Sequence, residues 1–66
     1  MNSTKRLIIK QEVRIECLYE EIAIYEQIIL ELETLELDAT TWYNKVHSAN
    51  ITIELRQDFI NDLKQL

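Results

Sequence analysis

Isoleucine recurs every seven residues in the first half of the chain, at Ile8, Ile15, Ile22 and Ile29, and Leu18, Tyr25 and Leu32 each follow one of the last three by three positions. Four apolar a positions and three apolar d positions in successive heptads predict a long, coiled-coil-like amphipathic helix. The remaining d position is Gln11. Asn2, Ser3 and Thr4 precede the first apolar residues as N-cap candidates, so the helix is expected over about residues 4–37. At 1.5 Å per residue it would be about 50 Å long.

Between residues 22 and 37 the pattern broadens. Placed at about 100° per residue, Ile22, Ile24, Tyr25, Ile28, Ile29, Leu32 and Leu35 form one wide apolar face. Ala23, Leu30 and Leu37 form a second, narrower stripe beyond Glu26 and Glu33. A helix with two apolar stripes needs at least two neighbours.

The periodicity weakens over residues 38–50, DATTWYNKVHSAN. Asp38, Thr40 and Thr41 favour helix ends over helix interiors, and Ser48 and Asn50 mark a second place for a break. A turn is expected at 38–41 or at 48–50, although Ala39, Tyr43 and Val46 would continue the first heptad. In the C-terminal segment Ile51, Leu55, Phe59, Leu63 and Leu66 line one helical face, which Ile53 and Ile60 widen. Asn50 would cap this helix, with Glu54 in its first turn and Lys64 in its last, as the helix dipole prefers. The expected fold is all-α: a long helix with a shorter return helix over about 51–66, a helical hairpin in one small domain.

Such a short return arm would leave Ile8, Ile15 and Leu18 uncovered, and each side chain of that size gains roughly 1.5–3 kcal/mol on burial. Self-association into a helical bundle is therefore expected, through Ile8, Ile15, Leu18, Ile22, Tyr25, Ile29 and Leu32. Charge sets the orientation. Lys5, Arg6, Lys10 and Arg14 cluster near the N-terminus, whereas Glu16, Glu20, Glu21, Glu26, Glu31, Glu33, Glu36 and Asp38 follow without a basic residue between them. Antiparallel long helices lay one block beside the other; parallel ones set acid against acid.

Composition narrows the class. The 66 residues include no glycine or proline, 47% are hydrophobic and 29% charged, a balance that favours long helices over sheet. No apolar run approaches the roughly 20 residues that span a bilayer, and the first ten residues hold too short an apolar patch for a signal peptide. A soluble, cytoplasmic protein is expected, and a lone Cys17 excludes an internal disulfide. The net charge of −5 argues against a dedicated nucleic-acid binder.

The residues carry little chemistry. His47 is the sole histidine, with no zinc-ligand spacing around it. Glu33 and Glu36 have the spacing of a di-iron Glu-x-x-His pair, but a glutamate stands where the histidine belongs. Cys17 lies near Glu16 and Glu20, which raise a thiol's pKa rather than activate it. No catalytic group, metal or cofactor is implied. Arg6, Lys10 and Arg14 form a basic stripe, and Trp42 with Tyr43 could anchor a partner or close the bundle end. The reading is a homo-oligomeric helical adaptor or regulator that offers helix faces to a larger protein. The competing class is an acidic inhibitor or antirepressor that occupies a nucleic-acid-binding surface of its target, and DNA contact through the basic stripe ranks below both.

Overall fold

The heptad of the first helix becomes the seam of an antiparallel hairpin in the computed structural model, which describes residues 3–66. Helix α1 spans Ser3–Thr34 and α2 spans Thr40–Lys64. The expected all-α hairpin is present. Asn2, one of the cap candidates, lies outside the described residues.

Along α1 the inward positions are Thr4, Ile8, Gln11, Ile15, Leu18, Ile22, Tyr25, Ile29 and Leu32, each buried or half-buried. They alternate at intervals of four and three, the coiled-coil spacing. α2 answers with Ala39, Trp42, Val46, Ala49, Ile53, Arg56, Ile60 and Leu63, spaced by three and four throughout. Ile15, Ile22, Ala49, Ile53 and Ile60 form the buried centre, with Ile8, Leu18 and Val46 packed against it. The register is visible at two levels: the Tyr25 and Trp42 rings lie 5.8 Å apart, and Arg56 Nη1 donates to Gln11 Oε1 at 2.6 Å. The amide and the guanidinium of the seam thus meet each other.

α1 stops at Thr34, three residues short of the expected end, and the turn lies at 35–39. Glu36 adopts φ 59°. Its N–H reaches the Glu33 carbonyl at 3.0 Å and the Leu37 N–H the Leu32 carbonyl at 2.8 Å, the pair of bonds that defines a Schellman stop. That stop normally uses glycine, which this chain lacks, so a side chain sits in a left-handed conformation at a cost of about 1–2 kcal/mol. Glu36→Gly is accordingly expected to stabilise the hairpin by about 0.5–1 kcal/mol, after allowance for glycine's greater freedom in the unfolded chain. Thermal unfolding followed by circular dichroism checks this; a lower midpoint would contradict the strain.

Two expectations for the C-terminal half need correction. No break occurs at Ser48–Asn50: α2 runs through it, and the Thr52 hydroxyl bonds the Ser48 carbonyl one turn back at 3.0 Å. α2 therefore begins at Thr40 rather than about residue 51, so Asn50 is no cap and Glu54 lies mid-helix. The buried face is also rotated. Of the expected stripe only Leu63 is buried; Ile51, Leu55, Phe59 and Leu66 are exposed, while Ile53 and Ile60 form the core. The heptad beginning at Ala39 sets this rotation, and its smaller members, Ala39 and Ala49, are buried too.

Candidate functional site

The seven residues expected to join two copies are occupied within the chain. Ile15, Ile22 and Ile29 are buried, and Ile8, Leu18, Tyr25 and Leu32 half-buried, against α2. The physical reason is the length of the return arm. With 25 residues it reaches back along α1 to Ile8, so Leu63 lines a shallow groove with Thr4, Lys5 and Ile8. A return arm of this length covers Ile8, Ile15 and Leu18, so the expected exposure of these three in a single chain is corrected.

Two regions of the outer faces gather much of the apolar surface that the chain leaves uncovered. On α1, heptad position b carries Ile9, Ala23 and Leu30, all exposed, and Leu37, also exposed, follows beyond the helix stop. Leu30 stands between two open grooves, one lined by Ala23, Glu26 and Glu33, the other by Glu31, Thr34 and Leu35. This is the second stripe anticipated from the sequence, and α2 does not reach it. The other region is the opposite flat side of the hairpin. It collects α1 positions g and c, with Leu7 and Ile24, together with Leu55 and Phe59 at positions c and g of α2. In an antiparallel pair the g positions of both helices flank the seam on the same side, which places these residues on one surface. Leu55 is 64% exposed and Ile24 59%. Exposed apolar surface of this kind marks a place of contact. Its α2 half went unrecognised because the Ile51–Leu55–Phe59 spacing resembles a core stripe.

The candidate anchors separate. Trp42 is half-buried on the seam against Tyr25, with Lys45 Nζ 5.6 Å from its ring centroid. It closes the turn end of the hairpin. Tyr43 is exposed, and its hydroxyl donates to Glu33 Oε2 at 2.8 Å, tying α2 to α1. That bond holds the phenol above its ordinary value of 10.0, with burial and the carboxylate charge adding to the effect. Arg6, Lys10 and Arg14 are all exposed on α1.

The turn is closed by Asp38, whose Oδ1 accepts from the Thr40 hydroxyl at 2.6 Å and the Thr40 N–H at 3.0 Å. The hydroxyl bond first, then the amide bond, lower its pKa from 3.8. A depressed carboxyl contributes stability above its unfolded value that is lost as pH falls through the folded one. Tyr43 is the mirror case, contributing below 10.0 and losing its share as pH rises past the raised value. The Thr40 amide resonance is therefore expected to titrate with a midpoint below 3.8, and to lose that transition in Asp38→Asn.

Folding keeps the charge asymmetry of the sequence blocks. The end holding both termini carries Lys5, Arg6, Lys10, Arg14, Arg56 and Lys64 against Glu12, Glu54, Asp58 and Asp62, a net +2. The turn end carries the eight acids from Glu16 to Asp38 against Lys45, a net −7. Among the described residues no group of three side chains is placed to hold a metal ion, and no helix is long and apolar enough to cross a membrane. Comparison with protein-family models, curated proteins and solved structures returns no match.

Proposed function

We propose that this protein is a small helical interaction protein, a homo-oligomeric adaptor or regulator that works in the cytoplasm by protein–protein contact and not by catalysis. The observation that carries this reading is the apolar surface that remains after the chain has folded on itself. A 66-residue hairpin has little core to spare, yet Leu30, Leu35, Leu37, Leu55 and Phe59 stay outside. The position-b stripe fits one kind of partner: a helix or loop that presents apolar side chains one turn apart. Basic residues beside them would meet Glu26, Glu31 and Glu33 at the rims of the Leu30 grooves.

A second reading has its own support in the −7 turn end. There the protein would act as an acidic inhibitor or antirepressor, covering a basic, nucleic-acid-binding surface of its target.

One capture experiment separates the two. The tagged full chain and its Leu30→Asp variant are used to retain proteins from the native cell, with washes at about 0.1 M and about 1 M salt. These salt levels correspond to screening lengths of about 10 and 3 Å. An adaptor partner stays bound at high salt and is lost in Leu30→Asp. The target of an acidic inhibitor behaves in the opposite way, released by salt and indifferent to the substitution. Equal retention by both chains at both salt levels would remove both readings.

A further inference from the structure

We propose that the flat side carrying Leu7, Ile24, Leu55 and Phe59 is the seat of a second copy of this chain, laid face to face and antiparallel. α1 then runs along α1 of the other copy in an all-antiparallel four-helix bundle. This rests on the reading of the protein as a self-associating interaction module, and it names the surface, which is not the seam the sequence indicated.

Three observations converge on this occupant. The first is size: the hairpin is a single layer of helices, 51 × 16 × 10 Å between Cα extremes, so its flat side offers roughly 800 Å2, about what each partner contributes to a stable interface. The second is the charge of the two ends, +2 and −7. A parallel arrangement stacks −7 on −7; the antiparallel one lays each acidic end against a basic end. The third is local. Four exposed charges interrupt the apolar surface along α1, Lys10 and Glu31 at heptad position c and, nearest the middle of the helix, Arg14 and Glu21, both at position g and of opposite sign. A twofold axis crossing α1 midway between Arg14 and Glu21, at Cys17 and Leu18, sets Arg14 of each copy over Glu21 of the other. The same axis sets Leu7 over Ile28, which is half-buried at its own g position. That level is also close to the middle of α1, so the helices overlap along nearly their whole length. Two-fold closure of this kind brings the α1 halves of the two patches together without leaving an open end to propagate.

Arg14 and Glu21 are seven residues apart on one helix, about 10 Å, too far to pair within a chain. Their coupling is therefore a signature of the second copy. Sedimentation equilibrium of the full chain, with circular dichroism to confirm that each variant keeps its helix content, reads it directly. The native chain is expected as a dimer of 7.9 kDa protomers. Arg14→Glu and Glu21→Arg, each alone, turn two attractions into two repulsions and should each raise the dissociation constant roughly tenfold. An equimolar mixture of the two variants should recover native affinity, because the mixed dimer restores an opposite-charge pair at both sites. If each variant dimerises as tightly as the native chain, or the mixture stays as weak as its components, the antiparallel register is overturned while self-association stands. A native chain that remains monomeric at several hundred micromolar overturns the second copy as occupant. The Leu30 capture experiment, on the opposite face, still judges the adaptor reading separately.

Discussion

Ile60→Ala is expected to unfold a large part of the protein at room temperature. Ile60 is 1% exposed and lies in the buried cluster with Ile15, Ile22, Ala49 and Ile53. Truncating such a residue removes its transfer free energy and leaves a cavity, together about 2–5 kcal/mol. A chain of this length has a total stability of roughly 3–10 kcal/mol at the usual value per residue. The loss is therefore comparable to the whole. Thermal melts at low micromolar concentration should show the midpoint falling by at least about 8 °C, taking about 4–8 °C per kcal/mol for a domain of this size. Ile51→Ala is the control. Both residues belong to the apolar pattern of the C-terminal segment, yet Ile51 is exposed on the outer side of α2, and an exposed truncation is expected to change stability by no more than about 0.5 kcal/mol. Comparable losses in the two variants would mean that α2 is rotated the other way about its axis.

That pair of substitutions also marks where the sequence was legible and where it was not. In α1 every inward position but Thr4 and Gln11 is a large apolar residue, so seven-residue periodicity exposes the seam. In α2 the inward positions include Ala39, Ala49 and Arg56, residues that a hydrophobicity pattern passes over. Meanwhile Ile51, Leu55 and Phe59, four apart, form an attractive stripe on the outside. Periodicity weighs large apolar side chains, whereas close approach of two helices also uses small ones. The turn was hidden for a related reason. A left-handed helix stop usually announces itself with glycine, and here Glu36 takes that role, so Asp38 and Thr40 were the visible cues. They lie just after the stop and do form the bond that closes it.

The candidate site inherited both errors. The two apolar stripes of α1 were readable, but which of them the chain covers itself depends on how far the return helix extends, and that depends on the turn. Placing the turn at 35–39 lengthens α2 to 25 residues. The inner stripe is then occupied, and contact with other molecules moves to the position-b stripe and the flat side. The charge asymmetry needed no such knowledge, since it is a property of blocks of sequence; folding only brings Lys45 beside the acids and Glu54, Asp58 and Asp62 beside the bases.

Replacing Gln11 and Arg56 together by leucine is expected to make the protein more stable and less well defined. Arg56 is the one charged residue on the α2 side of the seam. Its Nη1 donates to Gln11, but its Nε is buried without a hydrogen-bond partner among the described residues. A buried donor in that condition costs about 1–3 kcal/mol, and exchanging a buried polar pair for well-packed apolar residues is often neutral or stabilising by about 1–4 kcal/mol. Gln11→Leu alone should do the reverse, since it removes the acceptor and leaves the guanidinium facing an apolar layer. The double variant loses something else. In the native pairing the two polar residues meet; in a hairpin slid by one heptad Arg56 would face Leu18 or Thr4, and in a parallel pair of chains it would lose Gln11 altogether. The polar layer therefore penalises every arrangement except this one, as a single polar residue at a core position does in coiled coils. With leucine at both positions those penalties disappear. The double variant should melt at a higher temperature than the native chain yet give broadened or doubled amide resonances. A double variant with a lower melting temperature, or with resonances as sharp and single as those of the native chain, would show that Gln11 and Arg56 do not select the register.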